Sequence, residues 1–305
     1  MKSGDTATTL DCFVPRNDDK KIFAVSSLFT LHSAFKKELK QMNNKNIDIY
    51  FFSGTGNTYL AAKKIAEIFT NNGCSVNLLP IEKSDPSKID LSKTIGLGFT
   101  IACWNTYPFV RKFFENLPKA EGTELFVFTT MGDSSLKMAA NTGHVLSKKG
   151  YSVIGTKGFC MPNNFLAVNS DDNNKKKINR AYMKIESFAL DILNGASKAE
   201  KSNIFLRFCY AISKFITNMW NWKLSQKMMR LNLDKKKCIE CKLCAEICPV
   251  KNISFSEYPA FDGNKCQFCL RCISYCPTKA IKKFFVLKTY RALDDKEMKE
   301  CFQSK

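Results

Sequence analysis

Eight cysteines near the C-terminal end of the 305-residue chain fall into two copies of one spacing. Cys238, Cys241, Cys244 and Cys248 form C-x2-C-x2-C-x3-C, with Pro249 next. Cys266, Cys269, Cys272 and Cys276 repeat the pattern, with Pro277 next, and each lies 28 residues after its counterpart. Three thiolates two residues apart come from one tight loop that can wrap three corners of an iron–sulfur cubane. The fourth begins a short helix pointing away and reaches the other cluster. The spacing therefore predicts crossed sites. Cys238, Cys241, Cys244 and Cys276 form the first; Cys266, Cys269, Cys272 and Cys248 form the second. Structural zinc sites instead show two C-x2-C pairs split by a longer loop. Pro249 and Pro277 suit a chain reversal after the fourth ligand, because proline fixes φ and removes a donor. Ile253 and Ile281 correspond across the repeat and are predicted to pack the small core between the clusters.

Residues 234–283 resemble the bacterial-type ferredoxins that carry two 4Fe–4S clusters. That resemblance implies a chain that moves electrons.

A different signal lies upstream. Residues 46–52, NIDIYFF, read as an apolar strand. Ser53, Gly54, Thr55, Gly56, Asn57 and Thr58 follow, and then Ala61, Ile65, Ile68 and Phe69 recur at helical spacing. A strand, a small-residue loop and a helix start make an anion nest, with backbone N–H groups and the helix dipole aimed at the ligand. The loop lacks the Gly-Lys-Ser/Thr of a Walker A sequence, and Tyr59 stands where a dinucleotide fingerprint has its third glycine. It resembles the flavodoxin phosphate loop, matched by Ser53, Thr55, Gly56, Asn57 and Thr58. In that family the loop is rich in hydroxyls, free of basic side chains, and binds the phosphate of FMN.

The alternation continues as that fold requires. Residues 76–81, 94–100, 124–130 and 151–156 read as strands, separated by amphipathic helices. One helix ends at Pro118, one at Gly150, and a long one over 178–193 at Gly195. The expected fold is α/β, a doubly wound five-stranded parallel sheet in the order 2-1-3-4-5, joined to a small α+β two-cluster domain. The flavodoxin resemblance places the flavin ring over the loops after strands three and four. Trp104, Asn105 and Tyr107 come from the first loop, and Thr130 and Gly132 from the second. Trp104 and Tyr107 are the stacking candidates. Residues 101–107 hold no glycine, a departure from many flavodoxins. The segment 158–162 is expected to cover the site from a third side.

The organisation read from the sequence is as follows. Residues 1–45 are a poorly ordered extension, and 46–196 the flavodoxin-like FMN-binding domain. Residues 197–233 form an amphipathic helical connector with large apolar side chains among lysines and arginines. Residues 234–285 are the two-cluster domain, and 286–305 a charged tail forming a surface helix.

Composition narrows the function classes. The formal charge is +19; a general lysine bias of composition is the favoured reading of it, and an acidic redox partner protein is the partner such a surface would suit. No recognition motif accompanies it, so nucleic acid is not an expected partner. Membrane association through the connector is the less favoured reading. The 14 cysteines show no framework beyond the two runs, which fits a reducing, cytoplasmic setting. No stretch is long and apolar enough to span a membrane. The whole order resembles the flavodoxin–ferredoxin fusion proteins. It implies an electron carrier with one FMN and two 4Fe–4S clusters, linking the flavin to a redox partner. Two rivals remain at this point: an FMN-dependent reductase of a small molecule such as a quinone or an NAD(P)-linked substrate, and a redox or oxygen sensor. His32 and His144 sit in no motif, and no catalytic dyad is visible.

Overall fold

The computed structural model describes residues 45–102, 105–132, 137–164, 170–200, 208, 212, 231–262, 265–282 and 290–303. Trp104, the N-terminal extension but for its last residue and most of the connector lie outside the described residues. Five strands form one parallel sheet: β1 Asn46–Phe51, β2 Ser75–Pro80, β3 Thr94–Thr100, β4 Glu124–Met131 and β5 Ser152–Cys160. Their order is β2-β1-β3-β4-β5, the flavodoxin-like doubly wound arrangement. Its winding reverses between β1 and β3, where such sheets open a crevice at the strands' carboxyl ends.

The side-chain alternation of the strands divides the core in two. Ile47, Ile49, Phe51, Phe126 and Phe128 face helices α1 (Asn57–Asn71) and α4 (Asp171–Leu193). Tyr50, Phe52, Ile95, Leu97, Phe99, Leu125 and Val127 face α2 (Pro108–Glu115) and α3 (Met138–Ser147). With helices on both faces, the middle stretches of β3 and β4 are apolar, while β1 carries the buried Asp48, paired with Lys93 at 3.0 Å. Gly96 and Gly98 make this packing fit. A Cβ on either would lie 2.5 or 2.2 Å from the ring of Phe126 or Phe128, its neighbour on β4.

Two boundaries differ from the sequence reading. Helix α4 starts seven residues earlier, because Asp171 and Asp172 suit the positive end of the helix dipole although 171–177 holds no apolar residue. Strand β5 runs on to Cys160, paired with Met131 of β4.

The cysteine-rich segment forms a small module closed by two antiparallel pairs. Strand β6 (Asn232–Leu233) pairs with β9 (Ile281–Lys282), and β7 (Ile253–Phe255) with β8 (Pro259–Phe261). Its short helices α5 (Leu243–Glu246) and α6 (Arg271–Ser274) are 28 residues apart and end before Cys248 and Cys276, so the fourth cysteine of each run follows a helix and does not begin one as the spacing predicted. The backbone repeats at the same interval. Glu240, Lys242 and Lys251 have φ of 54°, 59° and 49°, and Phe268, Leu270 and Lys279 have 55°, 64° and 52°. Left-handed conformations cost a non-glycine residue energy and persist where the surroundings dictate them. Here Glu240 and Lys242, and Phe268 and Leu270, lie within the three-cysteine loops, and Lys251 and Lys279 turn the chain after each Cys-Pro pair.

The last segment corrects the expectation of a surface tail. Helix α7 (Asp295–Met298) and a π-helical turn (Lys299–Gln303) follow residue 290. Their charged residues face out, while Leu293, Met298, Cys301 and Phe302 are buried in the core on the α1 side of the sheet. Met298, Cys301 and Phe302 stand at i, i+3 and i+4, one face of a helix.

Candidate functional site

The eight thiols surround two hollows. Cys238, Cys241, Cys244 and Cys276 line one, with Leu243, Phe255 and Ile281. Cys248, Cys266, Cys269 and Cys272 line the other, with Leu231, Ile253 and Ile273. Each hollow thus gathers three cysteines of one run and the fourth of the other. Among the described residues, no group of three Cys, His, Asp or Glu side chains converges on a single-ion site. The thiols stand around a space, as a multi-iron group requires and a lone zinc ion does not. The fourth cysteine of each run also accepts a backbone hydrogen bond. Asn252 N–H donates to Cys248 Sγ at 3.3 Å, and Ala280 N–H to Cys276 Sγ at 3.2 Å. Burial pushes the Cys244 thiol up to about 11 and the Cys269 thiol up to about 12. A metal that takes these sulfurs as thiolates displaces protons.

The loop between β1 and α1 is buried throughout, with Ser53, Thr55 and Thr58 each at 1 % exposure. Gly56 at φ 108° precedes the helix, and no side chain caps the helix start. The first-turn N–H groups have no partner within the helix. Ser53 Oγ accepts from Gly56 N–H at 3.1 Å, and Thr58 Oγ1 and Thr130 Oγ1 are 2.7 Å apart. Thr55 Oγ1 accepts from Asn164 Nδ2 at 2.7 Å, and Asn57 Nδ2 donates to Pro162 O at 2.9 Å. The segment after β5 therefore does reach the loop. Asn57 Oδ1 is buried without a hydrogen-bond partner. An uncapped helix start ringed by hydroxyls fits a phosphate, and a polyhydroxyl chain would supply the donor that Asn57 lacks.

The other residues expected near a ring are placed as follows. Asn105 is fully buried; it pairs with Ala102 across an isolated bridge, and its Oδ1 accepts from Thr106 N–H at 2.8 Å. The ring of Tyr107 packs edge-on against Phe52 at 5.3 Å and alongside Phe109 at 6.3 Å. Gly132 O accepts from Lys177 Nζ at 2.5 Å.

Sequence reasoning missed how the two regions meet. A Cβ on Gly54 would lie 2.4 Å from the carbonyl oxygen of Cys269, so the β1–α1 loop touches the second cysteine loop backbone to backbone. Arg271, buried between Cys269 and Cys272, donates from Nη2 to Ser53 O at 2.7 Å and from Nη1 to Ile247 O at 3.0 Å. The same Nη2 pairs with Glu82 Oε1 at 2.7 Å. The guanidinium lies 4.0 Å from the Phe302 ring centroid and 5.2 Å from that of Phe52. Tyr275 Oη donates to Thr55 O at 2.8 Å. Leu293 and Ala292 fill the space beside Gly56, and Ala292 N–H donates to Thr55 O at 3.1 Å. Cys269 also packs against the core on the α2 side of the sheet, as Ile101, Ala102 and Phe109 do.

Residues 237–280 match the family described as the 4Fe-4S dicluster domain. No curated protein matches the chain. Among solved structures, a flavodoxin from the domain Archaea is 15 % identical, covering 48 % of this chain and 98 % of its own, at a TM-score of 0.35. Two-electron reduced Megasphaera elsdenii flavodoxin is 25 % identical over 45 % of this chain and 98 % of its own, at 0.35. Oxidised flavodoxin 2 from Bacillus cereus is 17 % identical over 48 % and 97 %, at 0.38. No helix among the described residues is long and apolar enough to cross a membrane.

Proposed function

We propose that this chain, a flavodoxin-like sheet domain joined to a 4Fe–4S dicluster domain, passes electrons between an FMN and a redox partner protein through two clusters. When bound, a flavin exchanges electrons in pairs and each cubane exchanges them singly. Cys238, Cys241, Cys244 and Cys276 hold one cluster, and Cys266, Cys269, Cys272 and Cys248 the other. Ser53, Thr55 and Thr58 hold the phosphate with the N–H groups of the loop and of the first turn of α1. The β3 and β4 ends, with Asn105, Thr130 and Gly132, border the ring.

One observation carries the reading: the backbone contact between Gly54 and Cys269. It puts the second cysteine loop, rather than the first, against the flavin domain. The first loop lies at the surface, with Cys241 exposed, Ile239 62 % exposed and Lys235, Lys236, Lys237 and Lys242 around it. The route therefore runs from the partner to the first site, then the second, then the flavin, or the reverse. An acidic partner docks at the lysine-rimmed first loop, where opposite charge speeds encounter.

Anaerobic reconstitution with iron, sulfide and FMN tests this. The proposal expects about eight irons and eight sulfides, as two cubanes require, and one FMN per chain. A chain that retains zinc in place of iron and sulfide, or takes up no flavin, contradicts it.

A further inference from the structure

The duplicated module loses its symmetry where it meets the sheet domain. Positions 243 and 271 correspond across the 28-residue repeat, as do 247 and 275. The first copy has Leu243 and Ile247; the second has Arg271 and Tyr275. Arg271 opens α6 and Tyr275 follows its last residue, so they stand four apart on one side of that turn. Both are buried, and each ends on a carbonyl of the phosphate loop. Arg271 Nη2 donates to Ser53 O at 2.7 Å, and Tyr275 Oη donates to Thr55 O at 2.8 Å, which also accepts from Ala292 N–H at 3.1 Å. Ile247, the first-copy counterpart of Tyr275, supplies the carbonyl that receives the other Arg271 nitrogen.

These two bonds have a directional consequence. In a trans peptide the C=O and the following N–H point to opposite sides. Holding the Ser53 and Thr55 oxygens toward the cysteine module turns the N–H groups of Gly54 and Gly56 the other way, toward the inside of the loop. Gly56 N–H there meets Ser53 Oγ, and a hydroxyl that accepts from an amide keeps its own proton to donate to an anion. Gly54 allows no relaxation backward, because Cys269 O occupies the space behind it. The loop is pressed into its nest shape from outside its own domain.

We infer that Arg271 and Tyr275 are positioning residues for the anion nest of residues 53–58, so that the cysteine module sets the affinity of the sheet domain for the phosphate of its flavin. This rests on the flavin reading above. It goes further in making phosphate binding depend on two side chains more than 200 residues along the chain from the loop. Preorganised donors bind an anion more tightly than donors that must first be ordered. The broken symmetry is the sequence mark of this role. Neither residue is a cluster ligand, and the first copy does without both.

The test compares FMN with riboflavin, which lacks the phosphate, on the full chain carrying its clusters under anaerobic conditions. Quenching of flavin fluorescence gives both dissociation constants. Tyr275→Phe removes the bond to Thr55 O, along with the longer one accepted from Leu293 N–H at 3.4 Å, and keeps the ring. It is expected to weaken FMN about fivefold to tenfold, the equivalent of one such bond. Riboflavin affinity and the iron and sulfide content stay as in the wild type. Arg271→Lys keeps the charge beside Glu82 and loses the fork, and is expected to show the same selective loss; it carries the test if Tyr275→Phe does not accumulate folded. An unchanged FMN affinity in the folded variants overturns the inference. So does an equal loss for FMN and riboflavin, which would mean a general loosening of the domain. Wild-type chain that binds neither flavin overturns the flavin reading itself, and the inference with it.

Discussion

Arg271 Nη2 lies 2.7 Å from Glu82 Oε1, and their side chains are 3 % and 6 % exposed. Glu82 sits in the 3₁₀ turn directly after β2, and Arg271 between two cysteines of the second run. A buried ion pair does little for net stability against a well-packed apolar pair, but removing one partner strands the other charge in the interior. Arg271→Leu is therefore expected to cost about 3–5 kcal/mol, and Arg271→Leu with Glu82→Leu markedly less. Chemical unfolding followed by circular dichroism, with both single variants and the double, measures the coupling. Additive single effects would show that the two side chains do not act as a pair.

The contact at Gly54 is a second point of attack. A methyl group there meets a carbonyl oxygen at 2.4 Å, well inside van der Waals contact, and the obstacle is backbone. Gly54→Ala should push the cysteine loop away from the β1–α1 loop while leaving both thiol-lined hollows intact. The expected outcome is full iron and sulfide content with slower electron exchange between clusters and flavin, read by stopped-flow absorbance. Wild-type exchange in Gly54→Ala would remove the contact from the route.

The crossed arrangement gives a prediction that the order of the cysteines along the chain does not. Cys276 belongs to the second run but lines the hollow of the first. Cys276→Ala is expected to abolish the electron paramagnetic resonance signal of the cluster held by Cys238, Cys241 and Cys244, and Cys248→Ala that of the other. If the two variants lose the opposite signals, as judged against Cys241→Ala and Cys269→Ala, the ligand sets are uncrossed.

Phe302 is 3 % exposed; its ring lies 4.0 Å from the Arg271 guanidinium and 5.2 Å from the Tyr275 ring. Tyr59 and Lys63 of α1 also bond Glu300. The C-terminal segment thus ties α1 to the cysteine module. Phe302→Ala should cost about 3–5 kcal/mol, the usual loss for a large aromatic from a core, whereas Gln303→Ala, at an exposed position, should cost under about 0.5 kcal/mol. Protease susceptibility of the folded chain is a second measure. Equal stability of the two variants would mean that the segment docks loosely.

Much of this organisation is legible in the sequence, because short-range rules govern it. The interval of 28 announces the duplicated module, and the left-handed residues at 240, 242 and 251 recur at 268, 270 and 279 as the interval requires. The strand–loop–helix at 46–71 and the alternation after it specify the order of the parallel sheet. The junction was hidden because its partners are remote in sequence. Arg271 reads as filler in a ligand loop until Glu82 and Ser53 are seen beside it. The contrast of Leu243 and Ile247 with Arg271 and Tyr275 was the available signal, since a repeat that changes apolar residues to polar ones at two positions four apart has a reason to do so. The spacing of Met298, Cys301 and Phe302 was likewise readable, but the surrounding charges made the segment look like a solvated tail. Tyr107 opens α2 next to Pro108 in a region of ring candidates, and its packing against Phe52 depends on the partner strand rather than on any local pattern.

The central claim is that the second cysteine loop feeds the flavin domain directly across the junction. Rapid anaerobic reduction of the fully loaded chain by a one-electron donor, with cluster and flavin absorbance followed together, tests it most directly. The account predicts that flavin bleaching follows cluster reduction within a single turnover, at a rate independent of protein concentration. Clusters that reduce fully while the flavin stays oxidised, or a flavin rate that rises with protein concentration, would contradict it.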